Sequence, residues 1–164
     1  MSIHSEAQLD QRFIAFARLL NTYLQHFPKH EKYGLALHIR QCAYDVYGLI
    51  VEGQKRYFKK TSLTQLDIRH EQLRILVRLA HELGCFGFRD GAGKESGATR
   101  AEHRYLTLSR QIDELGRMIG GWLKEERRKA AAPDAAAPAP SPAAIGQRRS
   151  VARGPAPGDW GERS

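Results

Sequence analysis

The stretch YLTLSRQIDELGRMIGGW, residues 105–122, decides the fold. Tyr105, Leu108, Ile112, Leu115, Ile119 and Trp122 recur at alternating spacings of three and four. On a 3.6-residue helix that spacing gathers them into one apolar stripe. The spacing predicts a helix from about Arg100 to Lys129, opened by Thr99 and Glu102 as a capping box. Gly116, Gly120 and Gly121 interrupt its helix propensity. The i,i+4 pair Gly116 and Gly120 leaves room for the close approach of another helix.

Working outward, three further segments carry the same period and none alternates like a strand. Ser5 to Phe27 places Phe13, Phe16, Leu20, Leu24 and Phe27 on one face, with Ser5 and Gln8 as a capping box and Pro28 as a stop. Glu31 to about Arg56, with Lys60 as the farther limit, carries Leu35, Ile39, Cys42, Val46 and Leu49, widened by Ala43 and Ile50. His38, Gln41, Asp45 and Glu52 follow its opposite side. Leu63 to Leu83, capped by Ser62 and Gln65 and ended by Gly84, carries Leu66, Leu73, Leu76, Val77, Ala80 and Leu83. The glycine-rich segment GCFGFRDGAGKESGAT, residues 84–99, has no periodicity and reads as a flexible surface loop. It lacks the spacing of a phosphate loop. Beyond Lys129 the chain turns to Ala, Pro and Gly, with Trp160 a lone aromatic, and reads as disordered. The expected architecture is all-α: an antiparallel up-down-up-down four-helix bundle over residues 1–129, then a disordered tail over 130–164.

Charge narrows the function. The chain has 26 Lys and Arg against 18 Asp and Glu, a net +8. Residues 1–129 hold 22 basic and 15 acidic side chains, so the excess belongs to the bundle and not to the tail. A basic surface attracts polyanions. Two clusters stand out: Lys55, Arg56, Lys59 and Lys60 around Tyr57 and Phe58, and Lys124, Arg127, Arg128 and Lys129 after Trp122. Cations are favoured at helix C-termini by the macrodipole, so one such cluster carries little weight. In an up-down-up-down bundle, however, the second and fourth helices end at the same pole. Two clusters merged there suit phosphate contacts, with aromatic rings nearby for base stacking. His70, Arg74 and Arg78, four apart, and Arg110, Arg117 and Lys124, seven apart, form further lines along single helix faces. These lines fit an anion-lined groove, an oligomer interface or a solvated face equally well.

Catalytic patterns are missing. The seven histidines form no H-E-x-x-H pair, His26 and His30 are separated by Pro28, and no G-x-S-x-G occurs. Cys42 and Cys85 make neither a C-x-x-C pair nor a disulfide framework. The polar start MSIHSEAQLDQ and the lack of a long apolar run lead to the expectation of a soluble cytoplasmic protein with no enzyme activity, metal, cofactor or membrane contact.

Three segments resemble one family. FPKHEKYGLALHIRQCAYDVYGLIVEGQKRY (27–57), RHEQLRILVRLAHELG (69–84) and IDELGRMIGGWLK (112–124) are similar to the accessory variability proteins of diversity-generating retroelements. They are similar also to the related four-helix proteins encoded in ribosomal-RNA intervening sequences. The more specific part is the G-R-x-x-G-x-W arrangement of Gly116, Arg117, Gly120 and Trp122. The resemblance covers most of residues 8–129. It implies a non-enzymatic pentamer with a basic surface that binds reverse transcriptase and RNA or DNA during mutagenic complementary-DNA synthesis. The charge clusters and lines make Lys55, Arg56, Lys59, Lys60, Arg74, Arg78, Arg117, Lys124, Arg127 and Arg128 the candidate nucleic-acid contacts. The competing reading is a structural module whose heptad seams bind another helical protein, or an intervening-sequence protein with no reverse-transcriptase partner.

Overall fold

The computed structural model describes residues 3–56, 59–89 and 96–131. Four helices follow in order: α1 (Ile3–Leu24), α2 (Leu35–Lys55), α3 (Lys60–Glu82) and α4 (Gly97–Ala131). The described residues contain no strand. The tail beyond 131, with Trp160, lies outside the described residues, as do Tyr57, Phe58 and positions 90–95.

Cross-links between helices fix the topology. Tyr47 Oη donates to Asp10 Oδ1 (2.9 Å) and Arg40 Nε to Asn21 Oδ1 (3.1 Å), so α2 runs antiparallel to α1. Ser62 Oγ donates to Glu52 Oε1 (3.1 Å) and Cys42 Sγ to the Arg69 carbonyl (3.4 Å), so α3 reverses again. His70 Nε2 donates to the Ile112 carbonyl (2.8 Å) and His81 Nε2 lies 3.2 Å from Glu102 Oε2, which sets α4 antiparallel to α3. Arg12 meets Glu114 (3.3 Å), and the Arg104 guanidinium lies over the Tyr23 ring, closing α4 against α1. Each backbone packs beside its two neighbours in this ring. The result is the up-down-up-down bundle.

The core follows the stripes. Phe13, Phe16, Leu20 and Leu24 of α1 are buried with Ile39, Val46 and Ile50 of α2, Leu66, Leu73 and Val77 of α3, and Leu108, Ile112, Leu115, Ile119 and Trp122 of α4. Each large apolar side chain withdrawn from water contributes about 1.5–3 kcal/mol. That gain offsets the poor helix propensity of the glycines in α4.

The helix boundaries differ from the sequence expectation at several caps. α1 begins at Ile3, so Ser5 lies within its first turn. Phe27 is buried although α1 ends at Leu24. α2 begins at Leu35, and the expected first residue, Glu31, instead accepts the Leu35 N–H on its carboxylate (3.3 Å). Arg56 is extended (φ −75°, ψ 141°) and ends α2 at the nearer of the two expected limits, so Lys59 and Lys60 belong to the start of α3 and not to the end of α2. Ser62 is therefore no cap; it is buried and bonded to Glu52. α4 begins one turn early, capped by Ser96, whose Oγ accepts the Thr99 N–H (3.1 Å). Gly84 does end α3. Its φ of +70° is a left-handed conformation that L side chains disfavour. There the Gly84 N–H reaches the His81 carbonyl and the Cys85 N–H the Ala80 carbonyl, both at 2.9 Å. This paired arrangement satisfies two carbonyls at the helix end. It turns Leu83 out to 57% exposure, so Leu83 is not a core residue.

The largest departure is the segment after α3. Its first residues are no flexible surface loop. Cys85 and Phe86 are buried, and Phe86 meets Phe27 edge-on at 5.2 Å. Phe88 stacks on His26 at 4.7 Å. Arg104 of α4, only 4% exposed, holds the segment in place. Its Nη1 donates to the carbonyls of Phe86 and Phe88, both at 2.7 Å, and its guanidinium lies 3.7 Å from the Phe88 ring centroid.

Candidate nucleic-acid interface

The antiparallel ring brings the end of α2, the start of α3 and the end of α4 to one pole. Packing at this pole is close. A Cβ on Gly53 of α2 would lie 2.9 Å from Trp122 Cη2 and 3.3 Å from Leu63 Cδ2, so only a residue without a side chain admits the indole here. Trp122 is 1% exposed and serves as a scaffold, not as a stacking platform for a base. Lys59 Nζ lies 5.6 Å from its ring centroid, a cation–π distance that ties the α2–α3 connection to α4. Lys59 of the first basic cluster thus packs on the tryptophan that precedes the second.

Around that anchor Lys55, Arg56, Lys60, Lys124, Arg127 and Arg128 are all exposed. Arg56 is partly neutralised by Glu52 (2.6 Å). Lys129 lies 3.0 Å from Glu126 and 3.4 Å from Glu125, and the Glu126 carboxylate leads in holding its amine up to about 12. The placement of Lys59 and Lys60 has an electrostatic consequence. They occupy the N-cap and first turn of α3, where no acidic residue is present. A helix N-terminus is its positive end, so a cation there is disfavoured by about 0.3–1 kcal/mol. The macrodipole accounts for Lys55 at the end of α2, but not for these two lysines. The positive helix end and the lysines together form a field suited to phosphate.

The remaining candidates do not share this surface. His70 points inward; it is 3% exposed, and burial holds its imidazole below the ordinary 6.5. Arg74 is engaged by Glu71 (3.1 Å) and by Asp113, which pairs α3 with α4. Arg78 is exposed, further along α3 from the pole. Arg117 is exposed on α4 beside a groove that α1 helps to line. The line His70–Arg74–Arg78 is thus a core histidine, an inter-helix ion pair and a surface cation. Gly116 explains why: a Cβ there would lie 2.8 Å from His70 Cε1 and 3.3 Å from Arg74 Nη2. Gly120 meets nothing within 4 Å, so the close helix approach expected of the glycine pair occurs at Gly116 alone.

Two features escaped the sequence reading. Arg104 belongs to no cluster or line of charge, and its burial depends on carbonyls presented by a loop without periodicity. Arg12 sits in a helix with no basic cluster, and its neighbour Arg117 is more than a hundred residues away.

No helix among the described residues is long and apolar enough to cross a membrane. Comparison with curated proteins returned no match. The model of the bAvd-like family matches residues 8–126, which contain the bundle from the first turns of α1 to the pole. That family comprises accessory, non-catalytic proteins of diversity-generating retroelements. With nearly three-quarters of its length matched, this chain belongs to the bAvd-like family.

Proposed function

We propose that the protein binds the template RNA of a diversity-generating retroelement, and the complementary DNA made from it, and presents them to the reverse transcriptase. It acts in the cytoplasm as a homo-oligomer, a pentamer by family resemblance. One observation carries the nucleic-acid reading: Lys59 and Lys60 stand at the N-terminus of α3, against the macrodipole, beside Lys55, Arg56, Lys124, Arg127 and Arg128. A placement that costs stability suggests that the charge serves a ligand. The experiment is retention of single-stranded RNA over a salt series. Phosphate contacts require log K to fall linearly with log salt. Reversing Lys55, Arg56, Lys59 and Lys60 to Glu is expected to abolish retention while leaving helical circular dichroism intact. No RNA retention by the native protein at low salt would refute the reading.

Self-assembly is supported by a different surface. Leu37, Tyr44 and Val51 recur every seven residues on the outside of α2, and Ile68, Ile75 and Leu79 follow the outside of α3. Exposed apolar stripes of this kind mark protein contacts. A second copy of the chain is the occupant proposed here. Light-scattering mass is expected to be a multiple of 18.5 kDa and to fall to a monomer in Ile75→Asp. A native monomer at working concentration would exclude the pentamer.

A further inference from the structure

We infer that the groove between α1 and α4 is a second phosphate-binding track, continuous with the pole, that takes the sugar-phosphate backbone of single-stranded RNA. The inference rests on the nucleic-acid reading above and extends it to residues on α1. The groove has a volume of about 760 Å³ and is lined by Gln8, Gln11 and Arg12 of α1 and Glu114, Arg117 and Met118 of α4. Its chemistry is that of a backbone-binding surface. Two guanidiniums face one carboxylate, and two amides supply donors and acceptors suited to phosphate and sugar hydroxyls. Glu114 holds Arg12 through Nε at 3.3 Å. That contact orients the guanidinium and leaves its terminal amino groups for a ligand. Arg12 remains largely exposed, at 61% of its side chain, as a receptor group must.

The position along the helices adds to the case. α1 and α4 are antiparallel, and the pole lies at the start of α1 and the end of α4. The groove therefore leads toward Lys124 and Arg128. Arg117, Lys124 and Arg128 lie within about 40° of one another around α4 and span about 17 Å along it. A strand leaving the lysines at the start of α3 would meet a row of cations at the rim of this groove, with the glutamines inside it. This surface lies opposite the apolar outer faces of α2 and α3 in element order, so it stays open if those faces assemble.

The test uses the full-length protein, a fluorescent 20-nucleotide oligouridylate and anisotropy titrations between 50 and 200 mM salt. The variants are Arg12→Gln with Arg117→Gln, Gln8→Ala with Gln11→Ala, and the fourfold Glu reversal at the pole. Loss of two single-strand phosphate contacts should reduce the salt slope by about 1.4, so the affinity lost across that salt range becomes about sevenfold smaller. The glutamine pair should weaken binding without changing the slope. Three outcomes would overturn the inference: a slope equal to the native one in the arginine variant, an altered light-scattering mass for that variant, which would make the groove a subunit contact, or native affinity in both groove variants. The first and third, with binding lost in the pole variant, would sink the groove and leave the nucleic-acid reading standing. No salt-dependent binding by the native protein would sink both. Equal slopes with the deoxy oligomer would indicate that phosphate alone is read; a preference for RNA would assign the glutamines to the 2′-hydroxyl.

Discussion

At the scale of single residues, Gly116 and Gly120 of α4 form a natural control pair. Alanine at either gains helix propensity of about 1 kcal/mol. At Gly120 nothing opposes the gain, and Gly120→Ala is expected to stabilise the fold by about 0.5–1 kcal/mol in chemical denaturation. At Gly116 the new methyl meets the His70 ring at 2.8 Å, and that ring is fixed by its bond to the Ile112 carbonyl. Overpacking costs about 1–3 kcal/mol, so Gly116→Ala is expected to be neutral to destabilising by about 2 kcal/mol. His70 itself predicts a pH dependence. Burial, with Arg74 acting in the same direction, lowers its pKa against the opposing effects of the Ile112 carbonyl, Glu71 and Asp67. The unfolded chain then binds the proton more readily than the folded one. Stability from this group is complete above about pH 6.5 and is lost as pH falls through the folded pKa. Melting curves at pH 7.5 and 5 should show a drop for the native protein that His70→Gln reduces. Equal drops in both would assign the pH effect to other groups. The thiols of Cys42 and Cys85, both raised by burial, should resist alkylation until the chain unfolds.

At the scale of elements, Arg104 is the residue on which the α3–α4 connection depends. One guanidinium nitrogen serves two carbonyls and the plane covers Phe88. Lysine keeps the charge but loses the fork and the stacking. Arg104→Lys is expected to cost about 2–4 kcal/mol and to speed hydrogen exchange at Cys85 and Phe86. Unchanged exchange there would mean that Phe86 burial alone holds the segment. The same segment marks the limit of what the sequence disclosed. The α4 seam was readable because six apolar residues repeat with the helix period, and every one of them except the partly buried Tyr105 is buried. The expected caps Ser62 and Thr99 lie a turn or less inside the true starts: α3 opens on Lys59, with Thr61 and Ser62 already in its first turn, and α4 has Ser96 and Thr99 on either side of its start, which local sequence does not rank. The burial of Phe86 and the carbonyl clasp of Arg104 could not be read, because they pair positions 16–18 apart across a turn with no period. Outward-facing Leu37, Tyr44 and Val51 give no separate signal for a related reason: the inward stripe of α2 already satisfies the periodicity, and a second apolar face adds no new period.

At the scale of the whole molecule, the pole is the place where stability and binding should trade against each other. Part of it was legible, since up-down-up-down topology alone brings the ends of α2 and α4 together. What the sequence did not reveal is that, beyond the end of α2 at Arg56, Lys59 and Lys60 open α3 instead of closing α2. Lysines at a helix end that already carries positive potential raise the local field at the expense of the fold. Lys60 gives the cleaner test, because Lys59 also lies over Trp122 and its loss would disturb packing. Lys60→Glu places an acid in a first turn that has none and is expected to raise stability by about 0.5–1.5 kcal/mol. The same variant should bind RNA more weakly, with a smaller salt slope, since one phosphate contact is lost and a repulsive charge is added. A residue kept only for solubility would show the gain in stability without the loss of RNA affinity. A residue kept for packing would show lower stability. The paired measurement of unfolding free energy and RNA affinity on this one variant therefore separates binding from both alternatives.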